Sequence, residues 1–152
     1  MAVIGTDVLR KEDPELITGQ AMYTDDMSLP GMLHMAVVRS PFAHARIKGV
    51  DLSKALAMDG VVGAYSGQDL ADSWIGGLPM AWPVTPDIKV PAHWPLAKDV
   101  AKHQGDGVAV VLAESRAAAK DAAEAVVVDY EPLPVVIDSE AALADGAPLV
   151  HE

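Results

Sequence analysis

The stretch "RSPFAHARI", residues 39–47, gathers Arg39, Ser40, His44 and Arg46 directly behind an apolar run. A serine, a histidine and an acid such as Asp51 are the residue types of a hydrolytic triad, in which imidazole takes the serine proton and a carboxylate orients the imidazole. Three-dimensional geometry defines such a site, and the same residues suit a turn, with Ser40 and His44 satisfying backbone groups beside Pro41. The turn is the expectation. Arg39 and Arg46 stand at the ends of adjoining strands and are expected to pair with carboxylates across a domain interface, which the planar guanidinium fork does well.

Other combinations carry less chemistry. The five histidines, His34, His44, His93, His103 and His151, include no pair four apart on a helix, so the usual zinc spacing is missing and no metal site is expected. Asp25 and Asp26 lack the glycine and terminal glutamate of a calcium loop and read as a turn. Gly105 and Gly107 in "QGDGVAVV" suggest a phosphate loop, but such loops follow a strand and open a helix, whereas this one leads into a strand and carries Asp106 where the anion would sit. No catalytic residue is assigned, and cofactor contacts stay open.

The elements that must position these residues are legible in outline. Asp13 and Pro14 open a short helical turn that stops at Gly19. "GMLHMAVVRS" is apolar except for His34 and reads as a strand that Pro41 ends. "ARIKGVDL" alternates as a half-exposed strand, so "SPFAH" becomes a hairpin-like connection. Ser53 is the expected cap of a short helix ended by Gly60, and "VVGAYS" resumes as a strand. "GVAVVLAE" is a strand and "VVVDYEPLP" follows a helix over "SRAAAKDAAEAV", with Ser115 as cap and Ala119, Ala122, Ala123 and Val126 on one face. "SEAALADG" repeats the device, with Ser139 as cap. These make two strand, helix, strand units. Between them, residues 67–99 hold five prolines and all three tryptophans with no periodicity, an excursion of the kind that is functional or forms an interface. Trp74, Trp82 and Trp94 need cover, and a partner is the expected source.

Composition narrows the class. The chain has 152 residues, 11 Lys and Arg against 22 Asp and Glu, a net charge of −11 and no cysteine. That excess of acid repels phosphate backbones and disfavours nucleic-acid binding. The lack of cysteine removes disulfides, thiolate metal sites and iron–sulfur ligation, and suits an intracellular protein. The start has no basic segment before its short apolar opening, and no apolar run approaches a membrane span, so a cytoplasmic location is expected.

The ordered segments together resemble the molybdenum hydroxylases, the large molybdopterin-binding subunits of xanthine dehydrogenase, aldehyde oxidoreductase and aerobic carbon monoxide dehydrogenase. The matching stretches are "RKEDPELITGQAMYTDD" with Gly19, Tyr23 and Asp26; "LPGMLHMAVVRSPFAHARIKGVDLSKAL" with Ser40, Ala43, His44, Ala45 and Asp51; and "DGVVGAYSGQDL" with Gly60, Val61 and Asp69. They continue in "VAVVLAESRAAAKDAAEAVVVDYEPLP", with Tyr130, Glu131, Leu133 and Pro134, and in "EAALADGAPLVHE". The opening, "R-x-E-D-P-x-L-I-T-G", looks closer to bacterial chains like carbon monoxide dehydrogenase than to animal xanthine dehydrogenases.

The resemblance implies one α/β hammerhead domain over residues 1–152, of α+β class, with short helices packed on a mixed sheet. It implies an assembly with a molybdopterin-binding domain or subunit and with iron–sulfur and flavin (FAD) subunits. That assembly hydroxylates a carbon centre with water-derived oxygen and passes electrons from molybdenum to the clusters and the flavin. The family's catalytic glutamate and glycine-rich cofactor motifs lie beyond this region, so the chain is expected to act structurally, as a small subunit or a fragment, with Arg39, Arg46, Trp74, Trp82 and Trp94 as candidate interface residues. A free-standing binding or regulatory module is the alternative. One departure stands out: relatives often show Gly-Glu-Pro-Val-Ala where this chain has Gly105, Asp106, Gly107, Val108 and Ala109, and losing the proline is expected to loosen the turn.

Overall fold

The computed structural model describes residues 4–5, 7, 9–79, 82 and 84–151. The chain divides into two compact units, Met1–Met32 and Leu33–Glu152. The first unit carries helix α1, Asp13–Ile17, and a 3-10 turn, Thr24–Asp26. Asp13 begins α1 instead of capping it, because the cap position falls on Glu12 and Pro14 fills the first turn. Asp26 accepts from the Tyr23 amide at 3.0 Å, so the two aspartates do form a turn.

Among its described residues the second unit holds six strands and two α-helices: β1 (His34–Arg39), β2 (Ala45–Asp51), α2 (Ser53–Leu56), β3 (Val61–Ser66), β4 (Val100–Ala101), β5 (Gly107–Ala113), α3 (Arg116–Ala125) and β6 (Val127–Pro132). The strands form two three-stranded sheets, β1-β5-β3 and β4-β2-β6. The α+β class stands, and the sheet content is these two sheets, with antiparallel pairing throughout the described strands, rather than one mixed sheet. Odd-numbered strands lie in one sheet and even-numbered strands in the other, so the chain changes sheet at every connection. The residues 40–44 are therefore a crossover and not a hairpin. Alternating polarity reveals which face of a strand is covered but not which strand pairs with it, and β1 pairs with β5 instead of β2.

Strand β5 is central and covered on both sides, as its continuous apolar run requires. Val111 joins Ala55, Ala64 and Ala122 in the core beneath α2 and α3. Val108, three residues earlier and so on the opposite face, joins Ile47, Ala97 and Ala101, with Val50, Val128 and Tyr130 packed around them. The small face of α3 is what lets it lie close to the sheet: Ala119 and Ala122 are fully buried.

Ser115 caps α3 as read, its hydroxyl accepting from the Ala118 amide at 3.1 Å. Ser115→Ala is expected to lower stability by about 1 kcal/mol, read as a fall in the urea midpoint at unchanged slope. An unchanged midpoint would show that solvent caps this helix equally well. The other two serines do not cap. Asp51 Oδ1 accepts from the Ser53 amide at 2.9 Å, and Asp138 Oδ1 from the Ala141 amide at 2.7 Å. A carboxylate two or three residues ahead outcompetes the nearer hydroxyl because its charge strengthens the bond. The Ser53 side chain first, and then its amide, hold the Asp51 carboxyl below its ordinary pKa.

Candidate functional site

The crossover is a clamp. Ser40 is 2% exposed; its amide donates to Asp106 O at 2.8 Å, and its carbonyl accepts from the Gly105 amide at 2.8 Å. Arg39 Nη1 donates to Gly105 O at 2.8 Å. The Ser40 hydroxyl closes a local turn, accepting from the Phe42 amide at 3.1 Å and donating to Phe42 O at 3.0 Å. His44, 8% exposed, places Nδ1 2.9 Å from Pro134 O, which sets the proton on Nδ1 because a carbonyl only accepts. The His44 carbonyl in turn accepts from the Leu133 amide at 3.0 Å.

Ser40, His44 and Asp51 are thus each bonded elsewhere, to Phe42, Pro134 and Ser53, and no triad is assembled. Arg46 Nε lies 4.0 Å from Glu131 Oε2 and Lys48 Nζ 3.5 Å from the same oxygen, so the carboxylate facing Arg46 belongs to the neighbouring strand β6. This exposed cluster adds little stability.

The Gly105–Gly107 turn is tied down despite its missing proline. Gly105 takes φ +90°, a conformation that favours glycine. Asp106 is 7% exposed, accepts from the Lys102 amide at 3.0 Å and faces His103 Nδ1 at 3.8 Å. Bonds from the crossover and from Asp106 supply the order of this turn.

Residues 67–99 are anchored at both ends. The Gly67 amide donates to Val108 O at 3.0 Å and the Ala97 amide to Gly107 O at 2.7 Å. Leu78 bridges His93 within the excursion. Two of its tryptophans cover each other: Trp74 and Trp94 stack at 5.8 Å between centroids and 14° between planes, with Lys98 Nζ 3.7 Å from the Trp94 centroid. Trp82 is 85% exposed. The expected need for outside cover therefore narrows to Trp82, since cation–π and stacking contacts serve the other pair.

A groove of about 710 Å³ lies beside the crossover, between residues 91–106 and the returning segment 133–151, with His44 and Arg46 on one wall. Lys102 Nζ donates to His151 Nδ1 at 3.1 Å. Burial and then the charges of Lys102, His93 and His44 hold His151 below the ordinary imidazole value of 6.5. In the window between that lowered pKa and 6.5 the unfolded chain binds more proton than the folded one, so stability falls as pH drops through the window and levels off below it. His151→Gln is expected to remove this part of the acid sensitivity. Identical pH dependence of the urea midpoint in both proteins would refute the assignment.

Tyr130 Oη is buried without a hydrogen bond, and burial raises its pKa; the nearby Ser40 hydroxyl offsets this in part but gives its bonds to Phe42. Sequence reasoning missed this group and the groove, whose walls are irregular segments without a periodic signal. Among the described residues no three His, Asp or Glu side chains converge to hold a metal, and no helix is long and apolar enough to cross a membrane.

Two antiparallel sheets crossed at every connection, with catalytic-type side chains turned to internal bonds, define a structural domain of the hammerhead type. Residues 18–134 match the family described as aldehyde oxidase and xanthine dehydrogenase, a/b hammerhead domain, and the chain belongs to that family. It is 44% identical over 142 residues to the carbon monoxide dehydrogenase large chain of Hydrogenophaga pseudoflava, covering 93% of this chain and 17% of that one. It is 31% identical over 149 residues to the nicotinate dehydrogenase large molybdopterin subunit of Eubacterium barkeri, covering 98% and 33%. The fold superposes on quinoline 2-oxidoreductase from Pseudomonas putida 86 with a TM-score of 0.83 at 45% identity, over 91% of this chain and 17% of that one.

Proposed function

We propose that this chain serves as the hammerhead domain of a cytoplasmic molybdenum hydroxylase, with residues 1–152 acting as one functional domain. The assembly carries a molybdopterin-type cofactor in another domain or subunit, with iron–sulfur and FAD subunits as electron acceptors, and oxidises its substrate with water-derived oxygen. The observation that carries this reading is the match over nearly the whole chain to large subunits of such enzymes. The donor set here does not fit the metal: no ligand cluster converges among the described residues, and Ser40, His44 and Asp106 are already bonded. The chain's own work is then to hold the cofactor-bearing part through Arg39, Arg46 and the 67–99 excursion. Trp82 meets the partner, while Trp74 and Trp94 stiffen the excursion behind it.

Purification of the chain together with a molybdopterin-loaded partner protein tests the reading. Molybdenum co-eluting with this chain, and its loss from the chain's fractions in Trp82→Ala, are the expected results. A chain that stays monomeric in the presence of the cofactor-loaded protein would overturn the proposal.

A further inference from the structure

We propose that the groove beside the crossover binds a small aromatic carboxylate, with the carboxylate held by Lys102 and His151 and the ring lying against Trp94. The groove shares Arg46 and residues 91–99 with the face given above to the partner, and its ligand binding is tested on this chain by itself.

The charge around the groove is unlike that of the chain. The protein carries twice as many acids as bases, yet Lys98 and Lys102 reach into the groove without a carboxylate partner within ion-pairing distance among the described residues. Lys98 rests on a tryptophan face and Lys102 on a neutral imidazole. Two acids do line the groove. Asp106 is turned to the Lys102 amide and His103, and Asp99 lies near Gln68 at 3.5 Å. Their presence limits the positive potential, which suits a monoanion better than a doubly charged phosphate.

Lys102 Nζ donates to a neutral His151, and it is a second positive charge, on the imidazole, that the site opposes. Burial first, and then the charges of Lys102, His93 and His44 around the same groove, disfavour His151 as a cation. A carboxylate placed there removes that conflict, accepting from the ammonium and from His151 protonated on both nitrogens. Arg46 also lines the groove, and among the remaining residues Trp94, Leu133, Pro134 and Leu149 give an apolar surface for a flat hydrocarbon body. A volume of about 710 Å³ falls within the range of small-molecule sites, which combine such apolar walls with a few convergent polar groups.

Benzoate, benzamide and inorganic phosphate, titrated separately into the protein while the His151 ring proton resonances are followed by NMR, test the proposal. Saturable benzoate binding is expected, with the His151 pKa rising by about one unit. Benzamide, lacking the charge, is expected not to saturate. Lys102→Met is expected to weaken benzoate binding by about tenfold. His151→Gln, which leaves Lys102 in place, is expected to weaken it less and to abolish proton uptake on binding. Absence of saturable benzoate binding would overturn the site, as would benzoate binding of equal strength in folded Lys102→Met. Phosphate binding tighter than benzoate would overturn the assignment of an aromatic monoanion.

Discussion

Gly67→Ala is expected to be the most damaging single methyl group that can be added to this protein, lowering its unfolding free energy by about 3 kcal/mol. A Cβ at Gly67 would lie 2.2 Å from the Ala97 carbonyl oxygen and 2.8 Å from its carbon. Those atoms are backbone, and neither side can retreat: the Gly67 amide is bonded to Val108 O, and the Ala97 amide to Gly107 O. Both tethers end on β5, the strand buried on both faces. Relief therefore requires breaking a bond to the central strand. Gly107→Ala is the informative contrast, because a Cβ there meets side-chain atoms, Leu96 Cδ2 at 3.1 Å and Val37 Cγ1 at 3.3 Å, which can rotate aside. Urea titrations of both variants should rank them in that order, Gly107→Ala costing about 1 kcal/mol. Equal midpoints for Gly67→Ala and the parent would show that the 96–97 segment does not press on the end of β3.

Asp106→Ala is expected to cost about 2 kcal/mol, the second-largest effect. The loss leaves the Lys102 amide without its buried acceptor and removes the group facing His103. Asp106→Asn keeps a carbonyl oxygen in the same place and should cost clearly less. Amide hydrogen exchange at Lys102 distinguishes this cause from a general loosening: exchange there should accelerate in the alanine variant more than at Val111 in the core. Uniform acceleration across both sites would count against a local role for the carboxylate.

The parts of this fold that were legible in the sequence are those set by a local pattern. Helix α3, its Ser115 cap and its alanine face follow from a 3.6-residue period and one hydroxyl. Strand β5 follows from an unbroken apolar run between glycine and a polar turn. The partners of those elements were not legible, because side-chain alternation is the same whether β1 pairs with β2 or with β5. The crossover was read correctly as a turn and wrongly as a hairpin for that reason. The bonds from the Ser53 and Ala141 amides to Asp51 and Asp138 are hidden in the sequence by serines standing nearer the helix starts. At the candidate site, the residue types predict a turn for Ser40 and His44 and a carboxylate partner for Arg46, and the structure supplies the contacts the spacing does not reach, to residues 42, 134 and 131. Two of those partners are some ninety positions away in the chain, beyond the reach of any spacing argument.

The alternation of the chain between two sheets also governs how this protein must acquire its structure. As synthesis proceeds, β1 finds no neighbour until β5 has emerged, and β2 waits for β4 and β6. No pair of consecutive strands can form a hairpin to start from, so loop closure must precede almost every gain in contact energy. Folding is therefore expected to be slow and all-or-none, with the outer strands held unpaired and open to wrong partners until residues 107–132 are available to both sheets.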